Sequence, residues 1–399
     1  MFIICGKVIY FSVKTLYFCH EAFLPAATCC GFEDGGACFF FVFSFGAMKV
    51  LLKIVLWAAA VLAAAFAVFL SVGAITDFRP EARETVEVRE TVCENPSASA
   101  VIPDSLKVVT WNIGYGGLGD DMDFFYDGGT RMRCSEERTR ENLAGIIDEL
   151  KSMDADIYLL QEVDECSRRT YRINELELLQ EAFPGYRLYF AYNYKSFFVP
   201  VPVREPLGKV ASGVAILSRY LPEKVERLAY PSRFPFPVSM FNLKRCLLAA
   251  EYRLADGTRL VIGNTHNTAY DTGGMRTQET DFLARWADSL ASAGVKVLVG
   301  GDWNQYPEGY VPSAEEADNP YFAVEPLDMS GLGGSGRVEY DSREKTLRYL
   351  DKPFGEGSVR SVTDYFFISV GTETGPAMVC GNDGFRHGDH RPVAIDVFL

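Results

Sequence analysis

Six short polar groups stand at or beside the ends of apolar runs in this chain. In order they are Thr110-Trp111-Asn112, Leu160-Gln161-Glu162, Asn264-Thr265-His266, Gly301-Asp302-Trp303-Asn304, Thr363-Asp364-Tyr365 and Gly388-Asp389-His390. Asp364 sits inside an otherwise apolar run, where a carboxylate is costly unless ion-paired or hydrogen-bonded, and that marks it as a site candidate. The chain has only four histidines, and two of them, His266 and His390, fall within these groups. Histidine moves protons near neutral pH. Oxygen donors without a Cys or multiple-His cluster suit a hard cation such as Mg²⁺, Mn²⁺ or Ca²⁺ rather than structural zinc. Each group alone is a short pattern that chance supplies often; the signal is all of them together in one order.

The elements that must position these groups alternate along the chain. Short apolar runs rich in β-branched residues predict strands over 106–113, 156–163, 213–217, 247–253, 259–264, 296–300, 362–369 and 393–398. Leu143, Ile146, Ile147, Leu150 and Met153 share one face of a helix predicted over 135–153, with Ser135 as its cap and Glu136 and Glu137 in its first turn. A second helix is predicted over 276–293, burying Phe282, Leu283, Trp286 and Leu290, and Gly294 stops it. Several strand candidates are apolar almost throughout, as strands buried on both faces under helices are. The class is α/β, in one domain.

The ordered groups resemble the endonuclease/exonuclease/phosphatase superfamily, whose members include pancreatic-type deoxyribonucleases and neutral sphingomyelinases. The resemblance covers roughly residues 105–399 and is carried by the six groups together with Ser218-Arg219. It implies two packed mixed β-sheets flanked by helices, a four-layer sandwich with the site at one edge. It also implies divalent-metal-dependent phosphodiester hydrolysis, with Mg²⁺ the expected ion. Glu162 resembles the principal metal ligand, with Asn112 beside it and Asp389 as a further metal-proximal carboxylate. His390 resembles the general base that deprotonates the attacking water, and Asp364 the carboxylate that orients its ring. Asp302 and Asn304 match residues that position the nucleophile and bind a phosphate oxygen; His266 matches a donor to phosphate or to the leaving group. Gly388 departs from the family pattern, where Ser or Thr usually precedes the Asp-His pair. A phosphomonoesterase, or a membrane-anchored binding module that kept the fold without catalysis, are the alternatives. The joint presence of Glu162, His266, Asp302, Asn304, Asp364 and His390 argues against the binding module.

Upstream of this region the composition changes. Residues 54–74 form an apolar run of roughly twenty residues without a charge, long enough to cross a bilayer as a helix. Lys49 and Lys53 precede it, so the positive-inside bias sends the bulk of the chain across the membrane. A cleaved signal segment is the rival expectation, which would leave the protein secreted. The expected organisation is a doubtful extension over 1–47, an anchor or signal segment over 48–76, a polar spacer over 77–104 and the catalytic domain over 105–399. The extension holds five of the ten cysteines and a Phe-rich run, and Met48 has the look of a natural start. The other five cysteines are widely spaced with no C-x-x-C pair, which excludes a zinc knuckle.

The 399 residues carry a net charge of −14, which argues against a general nucleic-acid-binding field. The acidity belongs to the part after the apolar run, where 35 basic face 50 acidic side chains. Residues 193–208 and 230–241 read as two loops rich in Pro and aromatics, as a wall against bases, a surface touching lipid or a packed rim would be. Arg131, Arg133, Arg138 and Arg140, with Arg168, Arg169 and Arg172, form local basic clusters that could meet phosphates or be solvated faces. Nucleic acid and a phospholipid or sphingomyelin head group stand as equal expectations for the substrate.

Overall fold

The computed structural model describes residues 45–89, 102–271, 274–319, 324–328, 336–382 and 384–399, and the backbone of 2–4, 7–12 and 15–19. Most of the doubtful extension, and residues 90–101 of the expected spacer with Cys93, lie outside the described residues. The chain divides into two compact units, Met1–Val72 and Gly73–Leu399. In the first, Phe2–Ile4, Lys7–Ser12 and Thr15–Cys19 pair antiparallel. Helix α1, Phe45–Thr76, starts in the first unit and includes an apolar stretch, Met48–Thr76, long enough to cross a membrane. Its large side chains, Trp57 and Leu62 among them, are exposed.

The second unit is built on two seven-stranded mixed sheets. The strands in chain order are β1 (Arg83–Thr85), β2 (Ser105–Asn112), β3 (Ile157–Asp164), β4 (Arg187–Val199), β5 (Gly208–Ser218), β6 (Lys224–Ala229) and β7 (Cys246–Arg253). They continue as β8 (Arg259–His266), β9 (Lys296–Asp302), β10 (Gly336–Glu339), β11 (Asp364–Ser369), β12 (Glu373–Thr374), β13 (Met378–Val379) and β14 (Val393–Phe398). One sheet has the order β10-β11-β9-β8-β7-β6-β1; the other runs β12-β14-β2-β3-β5-β4, with β13 also on β14. Each sheet holds one parallel pair near its middle, β8 with β9 and β2 with β3, and its other pairs are antiparallel.

Alternation of side chains along each strand explains why the strands read as apolar throughout. On β2, Leu106 and Val108 join Leu159, Ile216, Leu248, Ile262, Leu298 and Phe366 in the core between the sheets. The intervening Val109 and Trp111 face outward and pack with Ile146 and Leu150 of helix α2 (Glu136–Met153) and Leu176 and Leu179 of helix α3 (Glu175–Ala182). On the far side, Val261, Val297, Val299 and Phe367 are covered by Leu283, Ala284 and Ala287 of helix α4 (Met275–Ser292). The result is the expected helix–sheet–sheet–helix sandwich.

Both long helices end as their sequences predict. Ser135 accepts from the Arg138 amide at 3.2 Å as the N-cap of α2, and Gly294, with φ of 74°, follows α4 in the left-handed region. Ser135→Ala is expected to cost about 1 kcal/mol, read as a lower urea midpoint with an unchanged slope.

Two stretches differ from expectation. Residues 193–199, read as part of a loop, belong to β4, which pairs with β5 through two register shifts. Its aromatics are good strand formers, and the bulges absorb the residues that break the alternation. Within the expected spacer, residues 83–85 form edge strand β1 on β6, Val86 and Arg89 donate to the carbonyls of Val225 and Leu188, and Asp77 pairs with Lys244 at 3.0 Å. Cys134, Cys166, Cys246 and Cys380 are free thiols.

Candidate active site

The inward-facing column of each central strand changes character toward one end of the sandwich. It runs Val108–Thr110–Asn112 on β2, Leu159–Gln161 on β3, Ile262–Asn264–His266 on β8, Leu298–Gly300–Asp302 on β9 and Ile368–Phe366–Asp364 on β11. Beyond the apolar core, an amide layer ties the sheets together. Gln161 Nε2 donates to Asn264 Oδ1 at 2.7 Å and to Thr110 Oγ1 at 3.0 Å, and Asn264 Nδ2 donates to the carbonyls of Leu160 and Ala215. The acids and histidines form the next layer. Register alone aligns three of them, because His266 stands opposite Asp302 across β8 and β9, and Asp302 opposite Asp364 across β9 and β11.

Glu162 needs a different device. Strict alternation would turn it away from the inter-sheet face that Gln161 occupies. The register of β3 shifts between Leu160 and Val163, and Glu162 takes φ of 54°, which re-aims its carboxylate to the site edge. Asn304 has the same kind of backbone, φ 52°, just past β9. His390 arrives on the segment before β14, held by a bridge to Leu347 and by Trp111 Nε1, which donates to its carbonyl at 2.9 Å.

These side chains converge. His390 Nδ1 lies 2.8 Å from Asp364 Oδ2, and its Nε2 is 3.7 Å from Asp302 Oδ2 and 3.9 Å from Asp389 Oδ2. Asn112 Nδ2 donates to Asp302 Oδ2 at 3.1 Å and to Glu162 Oε1 at 3.3 Å. Asn304 donates through its amide to Asp302 Oδ1 at 3.0 Å and through Nδ2 to the Asn267 carbonyl at 2.9 Å. His266 Nε2 is 3.7 Å from Asp302 Oδ2 and 3.8 Å from Glu162 Oε1. All eight residues singled out by the sequence thus meet in one place. Ser218-Arg219 does not: it closes the opposite end of β5, where Arg219 pairs with Asp154 and Asp156.

Electrostatics in the cluster are dominated by buried carboxylates. Burial, and then the Glu162 charge, push Asp389 up to about 7 against the opposing pull of His390. Burial also raises Asp302 to about 6, aided by Asp364 and opposed by His390. Burial favours neutral His390, but Asp364, Asp302 and Asp389 together outweigh it and hold the ring well above the ordinary histidine value. His266 is held well below that value by burial, then by the charges of Arg245, His390 and Arg169.

The donor set accommodates a divalent cation. Asp389 Oδ1 is buried without a hydrogen-bond partner, although the residue stands among acids. Glu162 keeps 24% of its side chain exposed and lines the same cavity, which has a volume of about 450 Å³. Asp302, Asp364 and His390 form a second group, with one donor atom from each lying within 4.8 Å of the others.

Two contributors, Arg245 and Tyr115, went unrecognised by sequence reasoning, and a third, Arg169, expected as part of a cluster that could meet phosphates, is held in an ion pair. Arg169 forms a two-pronged pair with Asp164 at 2.8 and 2.9 Å, lies 3.8 Å from Glu162 and stacks over Tyr115 with 3.5 Å to the ring centre. Arg245 donates to the His266 carbonyl at 2.8 Å. Tyr115, with φ of 43°, lines the cavity. Beyond that cluster their only sequence signal is position, Arg169 after the Glu162 group and Tyr115 after the Asn112 group. Arg169→Met is expected to destabilise the fold by about 3–5 kcal/mol, because it strands Asp164 buried without its counter-charge. A urea midpoint within error of the parent's would refute this. The other basic clusters are largely engaged locally: Arg131 with Asp123, Arg133 with Glu205, Arg138 with Asp120 and Asp121, and Arg140 with Glu136.

A four-layer α/β sandwich with carboxylates, amides and histidines gathered at one edge of its paired sheets defines the class. Residues 109–373 match the model of the Endonuclease/Exonuclease/phosphatase family, and the chain belongs to that family. Its members are typically metal-dependent phosphoesterases and nucleases. Among solved structures, the chain is similar to an endonuclease/exonuclease/phosphatase from Bacteroides vulgatus, with 15% identity, 74% of this chain and 100% of that one covered, and a TM-score of 0.48. It is also similar to one from Beutenbergia cavernae DSM 12333 (17% identity, 74% and 72% covered, TM-score 0.45). The human Nocturnin catalytic domain with bound sulfate anion is a third (18% identity, 74% and 93% covered, TM-score 0.45). No curated protein sequence matches the chain.

Proposed function

We propose that this protein is a divalent-metal-dependent phosphodiester hydrolase, anchored by Met48–Thr76, with its catalytic domain on the extracytoplasmic side. The observation that carries the reading is the His390–Asp364 pair at 2.8 Å, whose free ring nitrogen faces the Asp302 and Asp389 carboxylates. Asp364 accepts a hydrogen bond from Nδ1 and so fixes the tautomer in which Nε2 can take a proton from water. Because the surrounding carboxylates raise the ring's basicity, the base form and the activity are expected to grow as pH rises above the ordinary histidine range. Asp302, itself held by Asn112 and Asn304, places that water for in-line attack on phosphorus. His266 is kept neutral by burial and by Arg245, and donates from Nε2 to a phosphoryl oxygen.

Glu162, Asn112 and Asp389 would hold the ion, with Mg²⁺ the best fit to oxygen donors. When bound, the ion neutralises charge on a phosphoryl oxygen and on the leaving alkoxide. The Asp302–Asp364–His390 group is the weaker candidate, because Asp364 Oδ2 is already taken by His390 Nδ1 and Asp302 Oδ2 by Asn112 Nδ2.

The test uses the full chain in detergent with Mg²⁺ and bis(p-nitrophenyl) phosphate. Excess chelator is expected to abolish release of nitrophenol, and added Mg²⁺ to restore it. Hydrolysis that persists with chelator present would sink the metal-dependent reading.

A further inference from the structure

The two Pro- and aromatic-rich segments find their place beside the site. Val199, Val201 and Leu207 from the first, and Val238 and Phe241 from the second, line the cavity whose polar end holds Glu162, Asp302, Asp389 and His390. Phe124, Leu118 and Leu350 extend the apolar wall. Two residues along from the lining Val201 and Val238, the same two segments present Val203, 90% exposed, and Phe236, 72% exposed. Exposed apolar side chains at the lip of an apolar cavity are what an interface with lipid requires.

The first residues of the catalytic unit reach the same cavity wall. The last turn of α1 belongs to the catalytic unit, and Gly73 is packed so closely on Phe241 and Met240 that a Cβ there would lie 3.2 Å from the Phe241 ring. The next residues continue the attachment: Asp77 pairs with Lys244 at 3.0 Å, and Phe78 packs edge-on against Tyr192 with ring centres 6.0 Å apart. Residues 73–78 of the catalytic unit are therefore fastened beside Phe241 of the cavity wall.

The three arginines that line the cavity are committed to the fold, while Arg204 and Arg233, on the two segments that carry Val203 and Phe236, are exposed. Arg169 is bound to Asp164, Arg245 to the His266 carbonyl, and Arg348 to the carbonyls of Leu118 and Gly119. They do not form the outward-facing cationic track that a nucleic-acid backbone calls for.

Resting on the phosphodiesterase reading above, we infer that the substrate is a phosphodiester lipid of the bilayer that holds the anchor. The lipid enters over the Val203 and Phe236 lip, with its apolar part against the Phe241 and Leu350 wall and its phosphate at His390. In the reaction, the water oxygen bonds to phosphorus as the P–O bond to one esterified alcohol breaks. One water proton passes to His390 and on to solvent, the departing alkoxide takes a proton from solvent, and the other water proton stays with the phosphomonoester.

The experiment reconstitutes the full chain in vesicles of phosphatidylethanolamine and phosphatidylglycerol with Mg²⁺. Phosphatidic acid and diacylglycerol are read together with the matching soluble products. Bis(p-nitrophenyl) phosphate and a single-stranded DNA oligonucleotide are assayed beside them, for the parent and for Val203→Ser combined with Phe236→Ser. The parent is expected to cleave lipid, and the double variant to lose about tenfold on lipid while its nitrophenyl-ester rate stays within about twofold. Equal lipid cleavage by both forms overturns the inference. So does cleavage of the oligonucleotide in preference to lipid, or chelator-sensitive cleavage of the nitrophenyl ester with lipid untouched; both leave the phosphodiesterase reading standing. If no phosphodiester is cut, that reading fails and the inference falls with it.

Discussion

Replacing His390 with Ala is expected to lower kcat on a phosphodiester by on the order of 10³-fold while KM changes little. The ring is the basic group aimed at the space between Asp302 and Asp389, and its other nitrogen is fixed by Asp364 at 2.8 Å. Removing it takes away the proton acceptor but not the elements that place it. The bridge to Leu347 and the bond from Trp111 both use the backbone of residue 390, so they survive the substitution. Asp364→Asn is expected to cost less, because the imidazole stays while the carboxylate that fixes its tautomer is lost. Steady-state kinetics of both variants, beside urea unfolding of each, separates lost chemistry from lost fold. A His390→Ala enzyme within about threefold of the parent in kcat would remove the general-base role.

Glu162→Gln should show the second large effect, and on a different axis. The substitution preserves shape and the bond from Asn112 but removes the charge that faces the cavity. The Mg²⁺ concentration for half-activity is expected to rise by on the order of 100-fold, with a comparable fall in rate at limiting metal. Asp364→Asn should leave that concentration nearly unchanged. Mn²⁺ binding followed by electron paramagnetic resonance reads the same contrast without turnover. If Asp364→Asn weakens binding and Glu162→Gln does not, the ion belongs with Asp302, Asp364 and His390.

Much of the fold was legible because helices α2 and α4 and most strands announce themselves by local rules, whereas the short helix α3 was not predicted. Ser135 and Gly294 punctuate α2 and α4, and β14 matches its predicted span of 393–398. The end of β4 was not legible. Asn193 and the prolines that follow resemble a loop, and only pairing with β5 shows that 193–199 is a bulged strand. The segment at 83–85 was hidden for the same reason: an edge strand that is polar on its exposed side looks like a spacer until a neighbour accepts its hydrogen bonds.

For the site, the sequence by itself singled out the eight residues that the fold brings together. It set Asn112, His266 and Asp302 at the ends of their strands and Asp364 at the start of its own, each in the inward column that a two-residue period defines. The antiparallel pairing of β9 with β11 brings Asp364 to the same end. Tertiary structure decided the rest. The positive φ of Glu162 that turns its carboxylate into the site depends on a register shift between β3 and β5, and such a shift exists only once the strands pair. The approach of Asp364 to His390, of Arg169 to Glu162 and of Arg245 to His266 joins segments distant or unrelated in pattern. Charge interactions depend on distance and burial, and neither is set until the two sheets close on each other.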